Sequence, residues 1–257
     1  MNAIEPNTPT KKSRRALKAS GGAVVVSHVN LAEVTGAEDP RHADEIAAFF
    51  EAVLPNIYFA LFQLDEAIKQ ESCPRAASVR LKAPPDIELL LTVGRECPDD
   101  FRPFTIANLV KVIAAHRDRL VGTWHECNQE LADHINNVRS NVETVNQAKN
   151  FTGHRTHVPT LAVMQELLRP LFLDKRMIVG RNDAGDIHHA VMSITYCDYT
   201  LLDGKWEDLS ERMVRRFEAL SLPIRTANVF SARRQGVRRF LEELERAGDS
   251  TTDQTVN

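Results

Sequence analysis

The sequence predicts an α/β protein in which helices flank a parallel sheet, with a long helical insertion in the middle of the chain. Three observations lead to this prediction. Short apolar runs alternate with helix-like segments, the run at 23–27 is apolar on both alternating faces, and a helical pattern follows each run directly. Strands buried on both faces are typical of parallel sheets that are covered by helices on both sides.

In the N-terminal half, glycine and proline mark the ends of the predicted elements. These elements are a helix at 13–20, a strand at 23–27, a helix at 40–53, and a strand at 57–62 that runs into a helix through Lys69. Residues 72–104 contain five prolines and are predicted to be largely loop.

Residues 105–149 contain no proline, and their apolar residues recur at steps of three, four and seven. This periodicity predicts a long helix or helical hairpin, inserted into the sheet domain or capping it. The following predicted elements are helices at 160–172 and 186–195, a strand at 199–202, a helix at 207–219, a strand at 224–230 and a helix at 235–246. Polar tails are predicted at 1–12 and 247–257, which leaves one domain over 13–246.

Composition and charge exclude several classes of protein. A hydrophobic share of 43% is enough for a buried core, which argues against a disordered chain. No run approaches the ~20 apolar residues of a membrane helix, so no membrane partner is expected. The four cysteines are far apart and include no CxxC pair, which predicts reduced thiols and a cytoplasmic location.

Three carboxylates are predicted where strands end and helices begin. Asp186 lies behind a glycine at a predicted helix start, and Asp203 lies at the end of the 199–202 strand. Glu33 follows the 23–27 strand on the first turn of the next helix. Because the carboxyl ends of parallel strands face one crevice, we expect these side chains to converge. Asp198 and Asp183 are the nearest reserves.

A basic stretch near the C-terminus is the second candidate functional feature. Eight arginines and only one acid, Glu218, lie between Arg212 and Arg239, which gives a local charge of +7. Arginine binds phosphate in a bidentate manner, so this stretch suits an RNA backbone. The residues predicted to contact RNA are Arg233, Arg234, Arg238, Arg239 and Lys205. The alternative, which stays open, is two solvated helix faces whose arginines pair with acids at 207–211 and 242–245.

The segments Ala23–Glu33 and Asp186–Asp203 resemble the PIN and PIN-like family of nucleases. The resemblance rests on SHVNLAE at 27–33, DIHHA at 186–190 and YCDYTLLD at 196–203, and it covers 13–54 and 174–245. It implies a PIN-like sheet and a metal-dependent endoribonuclease in which acids hold one or two Mg²⁺ or Mn²⁺ ions. Hard cations of this kind prefer carboxylate oxygens. The residues that the resemblance implies are Glu33, Asp186 and Asp203 as catalytic residues and metal ligands, Asp198 as a further ligand, and Lys205 or His188 toward the phosphate.

The chain departs from the family at its first acid. In the family that acid lies on a first strand, which sits between strands two and four upstream of the helix matching 13–20. No such motif occurs here. A start further upstream, a rearranged sheet and an inactive relative all stay open. We therefore expect weak or undetectable RNA cleavage by residues 1–257.

The predicted function is a magnesium- or manganese-dependent ribonuclease, with a toxin, a defence nuclease and an RNA-processing nuclease all left open. One alternative is a degenerate PIN-like module that binds RNA or protein through the arginines. The other is a helical interaction protein in which 105–149 contacts a protein inhibitor or a second copy of the chain.

Overall fold

The computed structural model describes residues 17, 21–27, 41–53, 56–59, 64–73, 106–115 and 117–252. These residues form a mixed α/β protein, as the sequence predicts, and most of them are helical. The elements in chain order are β1 (Val24–Val26), α1 (Arg41–Val53), β2 (Ile57–Phe59), α2 (Leu64–Glu71), α3 (Ile106–Ala115), α4 (Arg117–Val138), α5 (Val142–Asn150), α6 (Pro159–Leu173), α7 (Arg181–Tyr196), β3 (Tyr199–Leu201), α8 (Gly204–Ala219), β4 (Asn228–Phe230), a 3₁₀ turn (Arg233–Gln235) and α9 (Gly236–Thr252).

The chain divides into two compact units. The first contains residues 1–61, 82–121 and 237–257, and the second contains residues 62–81 and 122–236. The stretch predicted as one domain, 13–246, therefore includes parts of both units.

The first unit contains one parallel strand pair. β1 and β2 pair with Val24 opposite Ile57. Val24 N donates to Asn56 O at 2.7 Å, and the Asn56 side chain donates to Gly22 O at 2.8 Å. These two bonds fix the register where the pair begins. α1 turns its apolar stripe inward, burying Ala47 and Phe50, and packs against α3.

The second unit contains the other parallel pair. β3 and β4 pair with Tyr199 opposite Asn228, and α8 provides the crossover that parallel strands require. Asn228 N donates to Asp198 O at 2.9 Å and Leu202 N donates to Phe230 O at 2.8 Å, so the ladder extends one residue beyond each end of β3.

The prediction that the strands at 23–27 and 199–202 share a sheet is wrong for the described residues. β1 pairs only with β2, and β3 pairs only with β4, in two separate sheets. In each pair, the two three-residue strands are consecutive strands of the described chain. A β-branched, apolar run indicates that a strand is buried, but it does not specify the strand that lies beside it.

Several predicted boundaries also move. α7 begins at Arg181, so Asp186 lies in its second turn and not at its start. Gly185, which suggested a helix start, is buried inside α7, while Gly180 is the residue that precedes the helix. At the other end of the chain, α9 continues to Thr252, so the predicted tail at 247–257 is helical through its first six residues.

Helices of the second unit pack around α6, α7 and α8. Val163, Leu167 and Leu171 of α6 are fully buried, and each apolar side chain of this size contributes roughly 1.5–3 kcal/mol on burial. Ile187, Val191 and Ile194 continue the core along α7, at the three- and four-residue steps of one helix face. Among the described helices, none is long and apolar enough to cross a membrane.

The predicted helical insertion forms three helices, α3, α4 and α5. Asn141 caps α5, with its Oδ1 atom accepting from Glu143 N at 2.9 Å and Thr144 N at 3.2 Å. Ala132 and Ile135 of α4 are buried in the core of the second unit. This part of 105–149 therefore contributes to the core of the second unit.

The end of α4 fixes the segment that leads into α7. Arg139, only 8% exposed, donates from Nη1 to Met177 O at 2.5 Å and from Nη2 to Asp174 O at 2.8 Å. Asn136 donates from Nδ2 to Val179 O at 2.9 Å. These bonds to backbone carbonyls hold the chain just before the acidic first turns of α7.

Candidate functional site

Asp203 is held at the junction between β3 and α8. It is the N-cap of α8, and its Oδ1 atom accepts from Lys205 N at 2.8 Å and from Trp206 N at 3.0 Å. An N-cap aspartate satisfies backbone donors that the helix leaves open. Both cap bonds go to Oδ1, and the residue is exposed.

Asp186 lies close enough to Asp203 for the two charges to interact. The pKa of Asp186 is raised, first because burial desolvates its carboxyl, and further because the carboxylates of Asp203 and Asp183 repel its charge. Trp206 and Lys205 act in the opposite direction and lower this pKa. Asp186 and Asp203 therefore lie near enough for their charges to interact, and Asp183 acts on Asp186 in the same direction.

Trp206 lies beneath this acidic cluster, which we define as Asp183, Asp186 and Asp203. Its side chain is 1% exposed, and its indole N–H lies near Asp186 without completing a hydrogen bond of normal geometry within the described residues. The Lys205 ammonium lies 5.6 Å from the centre of the same indole ring. A buried donor is thus directed at the cluster.

Asp183 lies one helical turn before Asp186, on the same face of α7. Its Oδ2 atom accepts from Gly180 N at 2.9 Å, which ties the start of α7 together. Its Oδ1 atom forms an ion pair with the Lys205 ammonium, and both side chains are about one-quarter exposed. This ion pair joins α7 to α8 across the cluster and was not predicted from the sequence. The i, i+3 spacing of Asp183 and Asp186 could have indicated that the two carboxylates share one face of a helix.

Two predicted site residues lie elsewhere in the second unit. Asp198 precedes β3, whereas Asp203 follows it, and Asp198 forms an exposed ion pair with Arg225. The structure therefore does not bring Asp198 into the acidic cluster. His188 has its pKa lowered by burial, and the charge that acts on it is Asp65 of α2, not the cluster.

Glu33 lies outside the residues that the structure describes, so its predicted role as a ligand stays a prediction.

Several arginines of the basic stretch form ion pairs with nearby acids. Arg215 pairs with Glu211 at 3.9 Å and Arg238 pairs with Glu242 at 2.8 Å, both on exposed helix faces. This is the pairing expected of solvated helix faces. Exposed pairs contribute only about 0–1 kcal/mol, so a phosphate can still compete for these arginines.

Arg216 has a structural role within this stretch. Its Nε atom donates to Glu166 Oε1 at 2.9 Å, and the same oxygen lies 2.9 Å from His154 Nε2. Glu166 is 2% exposed and the His154 side chain is fully buried, so Arg216 balances a buried charge. It also donates to Phe151 O at 2.5 Å, which holds the loop before α6.

Arg233 is a predicted RNA contact that lies against the start of α8. Its side chain passes over Gly204, where a Cβ atom would come within 2.3 Å of the Arg233 Cδ and Nε atoms. Its backbone N–H donates to Ser231 Oγ at 3.1 Å, and Ser231 Oγ donates to buried Glu207 Oε2 at 2.5 Å. Gly204 directly follows Asp203, and the Arg233 guanidinium lies 3.9 Å from the carboxylate of Asp208 on α8.

The donor set of the cluster consists of hard carboxylate oxygens, as Mg²⁺ and Mn²⁺ prefer. Among the described residues, however, no three histidine, cysteine, aspartate or glutamate side chains are arranged to hold a metal ion together. Two carboxylates are a sufficient protein contribution for Mg²⁺, which usually keeps several waters. Burial is the main cause of the raised pKa of Asp186, and the repulsion from Asp203 and Asp183 that adds to it is the kind of charge clustering that a bound cation relieves.

Comparison of the chain with protein-family models, with curated protein sequences and with solved structures finds no match in any of the three.

Proposed function

We propose that this chain is a metal-dependent endoribonuclease of PIN-like type, with its active site at the acidic cluster. The observation that carries the proposal is the approach of Asp186 to Asp203, on two different helices, with Asp186 partly desolvated. Clustered carboxylates that repel one another are costly unless a cation binds there. The parallel pairing of β3 with β4, with a helix between them, supports the PIN-like part of the proposal.

In this proposal Asp186 and Asp203 hold one Mg²⁺ or Mn²⁺ ion. The ion, when bound, acidifies a water molecule and stabilises charge on the leaving oxygen of a phosphodiester. Asp203 is suited to this role because the α8 cap fixes its carboxylate through Oδ1 alone. The burial of Trp206 restricts water on the inner side of Asp186.

Lys205 and Arg233 supply the positive charge that an RNA phosphate needs beside the carboxylates. Lys205 is held by Asp183, and Arg233 is held against Gly204. Arg234, Arg238 and Arg239 are the other arginines that we propose to bind phosphates of the RNA backbone. A contact of this kind is independent of base sequence and falls with rising salt concentration.

The test is cleavage of a fluorescent single-stranded RNA in Mg²⁺ or Mn²⁺ by the wild type and two site variants, Asp186→Asn and Asp203→Ser. Serine keeps a helix cap at 203 while removing the carboxylate. Asp198→Asn is the matched control, because Asp198 lies at the other end of β3. Because wild-type cleavage is expected to be weak, it is measured at high protein concentration over long incubation. Relative to that rate, we expect the two site variants to lose about 100-fold or more, since misplacing reacting groups by ~1 Å already costs that much. Cleavage that is insensitive to Asp186→Asn would overturn the proposal.

Glu33→Gln tests the third ligand that the resemblance implies. If Glu33 is a ligand, this variant loses cleavage to a similar extent as Asp186→Asn. Full cleavage by Glu33→Gln would limit the protein ligands to the acidic cluster.

The second candidate function is a catalytically inactive RNA-binding module. The number of arginines between Arg212 and Arg239 favours it, together with the absence of a three-ligand metal group among the described residues. Substituting Arg233, Arg234, Arg238 and Arg239 by alanine should then weaken binding to all RNA sequences alike and flatten the salt dependence. Arg176→Ala is the control, because Arg176 is an exposed arginine paired with Asp174. RNA binding without cleavage by the wild type would favour this second function.

The third candidate, a helical interaction protein, requires a surface on 105–149. Deleting this region would remove core residues such as Ile135, so deletion is a poor test. Val142 is 71% exposed at the start of α5, and Val142→Glu changes that surface without touching the core. Loss of self-association in this variant, measured by analytical ultracentrifugation, would favour the third function.

A further inference from the structure

Ser231 is a buried residue directly after β4, and its hydroxyl joins a buried acid to Arg233. The Oγ atom donates to Glu207 Oε2 at 2.5 Å and accepts from the Arg233 backbone N–H at 3.1 Å. Ser231 is 1% exposed and Glu207 is 2% exposed. An ionised carboxylate can only accept hydrogen bonds, so the Ser231 hydroxyl directs its proton at Glu207 and its lone pairs at Arg233. The start of the 3₁₀ turn is thus tied to α8.

The turn that follows Ser231 is strained as well as anchored. Gln235 adopts a left-handed backbone conformation, with φ of 58°, which is unfavourable for a residue with a Cβ atom. The chain is also so tight that a Cβ atom at Gly236 would lie 2.0 Å from the Ser231 backbone oxygen. Strain of this kind persists only where surrounding contacts impose it, and it is common at sites that bind ligands.

Ser231 and Asp203 follow the two strands of the β3–β4 pair at the same edge. The strands are parallel, with Leu201 opposite Phe230, so the residues after them leave the pair at its carboxyl edge. In open α/β sheets, ligands bind outside the carboxyl ends of the strands. The turn that carries Arg233 therefore begins at the edge of the strand pair that also carries Asp203.

The Arg233 side chain is fixed near its backbone and exposed at its tip. Its Cδ and Nε atoms lie over Gly204, where a Cβ atom would come within 2.3 Å of both. The guanidinium lies 3.9 Å from the Asp208 carboxylate, and the Arg233 side chain is 68% exposed. An exposed ion pair of this length is weak, so the guanidinium can exchange it for a phosphate, which it binds in a bidentate manner.

We infer that Glu207 and Ser231 are positioning residues that hold Arg233 for one phosphate of a single-stranded RNA. Neither side chain touches the RNA in this inference, because both are buried and act through the backbone of Arg233. The inference rests on the proposed action on RNA, but it requires no metal ion. Because the buried pair restricts the turn before RNA arrives, less conformational entropy is lost when the phosphate binds.

The experiment measures the affinity of the full chain for a labelled single-stranded RNA by fluorescence anisotropy. It is run in EDTA, so that no metal-dependent cleavage occurs, and over a range of salt concentrations. The variants are Arg233→Ala, Ser231→Ala and the double variant. We expect each single variant to bind RNA several-fold more weakly and to lower the salt slope by about 0.7, as for one phosphate contact on a single strand. The double variant should show no further loss, because both substitutions remove the same contact.

Ser210→Ala is the matched control for the loss of a buried hydroxyl. Ser210 is 3% exposed, and its Oγ atom donates to the Glu207 backbone oxygen at 2.8 Å, within α8 itself. Urea unfolding should show losses of stability for both serine variants, whereas only Ser231→Ala should change the RNA affinity and the salt slope. Glu207→Gln keeps an oxygen that can accept from Ser231, so it should restore most of the affinity that Glu207→Leu loses.

The possible results separate this inference from the proposed function. Unchanged RNA affinity in Arg233→Ala or Ser231→Ala, or additive losses in the double variant, overturns the inference and leaves the proposed active site intact. No RNA binding by the wild type overturns both. Ser231→Cys is the second variant if Ser231→Ala fails to fold, since a thiol has a similar size but hydrogen-bonds weakly. Wild-type RNA affinity in Ser231→Cys would also overturn the inference.

Discussion

The indole of Trp206 lies beside the carboxyl of Asp186, while the backbone N–H of the same tryptophan donates to Asp203 Oδ1 at 3.0 Å. One buried residue is therefore tied to both carboxylates of the proposed active site. Because Trp206 is 1% exposed in the core of the second unit, the packing of α8 fixes the positions of the two acids relative to each other.

Asp203 has a structural and a proposed chemical role, and two substitutions separate them. Asp203→Ala removes the α8 cap, so we expect it to lower the free energy of unfolding by about 1 kcal/mol. Asp203→Ser retains a cap acceptor, so we expect its free energy of unfolding to fall by only a few tenths of a kcal/mol. It should lose RNA cleavage as fully as Asp203→Ala. Urea unfolding measures the first effect and RNA cleavage the second. Equal stability of the two variants would contradict the cap assignment.

Asp186 should destabilise the protein at neutral pH. Burial raises the pKa of Asp186 in the folded state, so folding favours the neutral carboxyl. The stability associated with this neutral carboxyl is fully present below the pKa of Asp186 in the unfolded chain, and it is lost as the pH rises through the raised pKa of the folded state. We expect Asp186→Asn to be more stable than the wild type near pH 7 and no more stable near pH 3, in urea unfolding at each pH.

Asp174 provides the control of opposite sign. Hydrogen bonds from Arg176 lower the pKa of Asp174 to about 2, so its contribution is present above its unfolded pKa and is lost as pH falls. Asp174→Asn should therefore lose stability near pH 7, where Asp186→Asn gains it. The same direction of change for both variants would contradict this assignment.

The acidic cluster shows which features of the site could be predicted from the sequence. Asp203 could be predicted because the end of a strand and the start of the next helix are local patterns. The ion pair between Asp183 and Lys205 could not, because it joins residues 22 positions apart and depends on how α7 packs against α8. The separate sheets have the same explanation, because apolar character indicates burial but does not determine which strands pair.

Two neighbouring arginines should differ sharply in their effect on stability. Arg216 pairs with Glu166, which is 2% exposed, so Arg216→Met leaves a buried carboxylate with only His154 as its partner. We expect a loss of about 3 kcal/mol in the free energy of unfolding, as for other broken buried pairs. Arg215→Met removes only an exposed pair at 3.9 Å and should change stability by less than about 0.5 kcal/mol. Urea unfolding of both variants checks this, and similar losses would mean that Arg216 has no special structural role.

Gly204 and Gly236 provide a final matched pair that tests how Arg233 is held. A Cβ atom at Gly236 would lie 2.0 Å from the Ser231 backbone oxygen, which cannot move without disturbing β4 and the 3₁₀ turn. A Cβ atom at Gly204 would instead meet the flexible Arg233 side chain at 2.3 Å. We expect Gly236→Ala to destabilise the protein by about 2 kcal/mol or more, in the range of other overpacked sites. Gly204→Ala should be near neutral, because alanine favours a helix over glycine by roughly 0.5–1 kcal/mol and Arg233 can swing away.

The displaced guanidinium should weaken RNA binding several-fold in Gly204→Ala while Mn²⁺ binding stays unchanged. Fluorescence anisotropy with a labelled RNA measures this effect, and unaltered RNA affinity in Gly204→Ala would show that the position of Arg233 over Gly204 does not matter for binding.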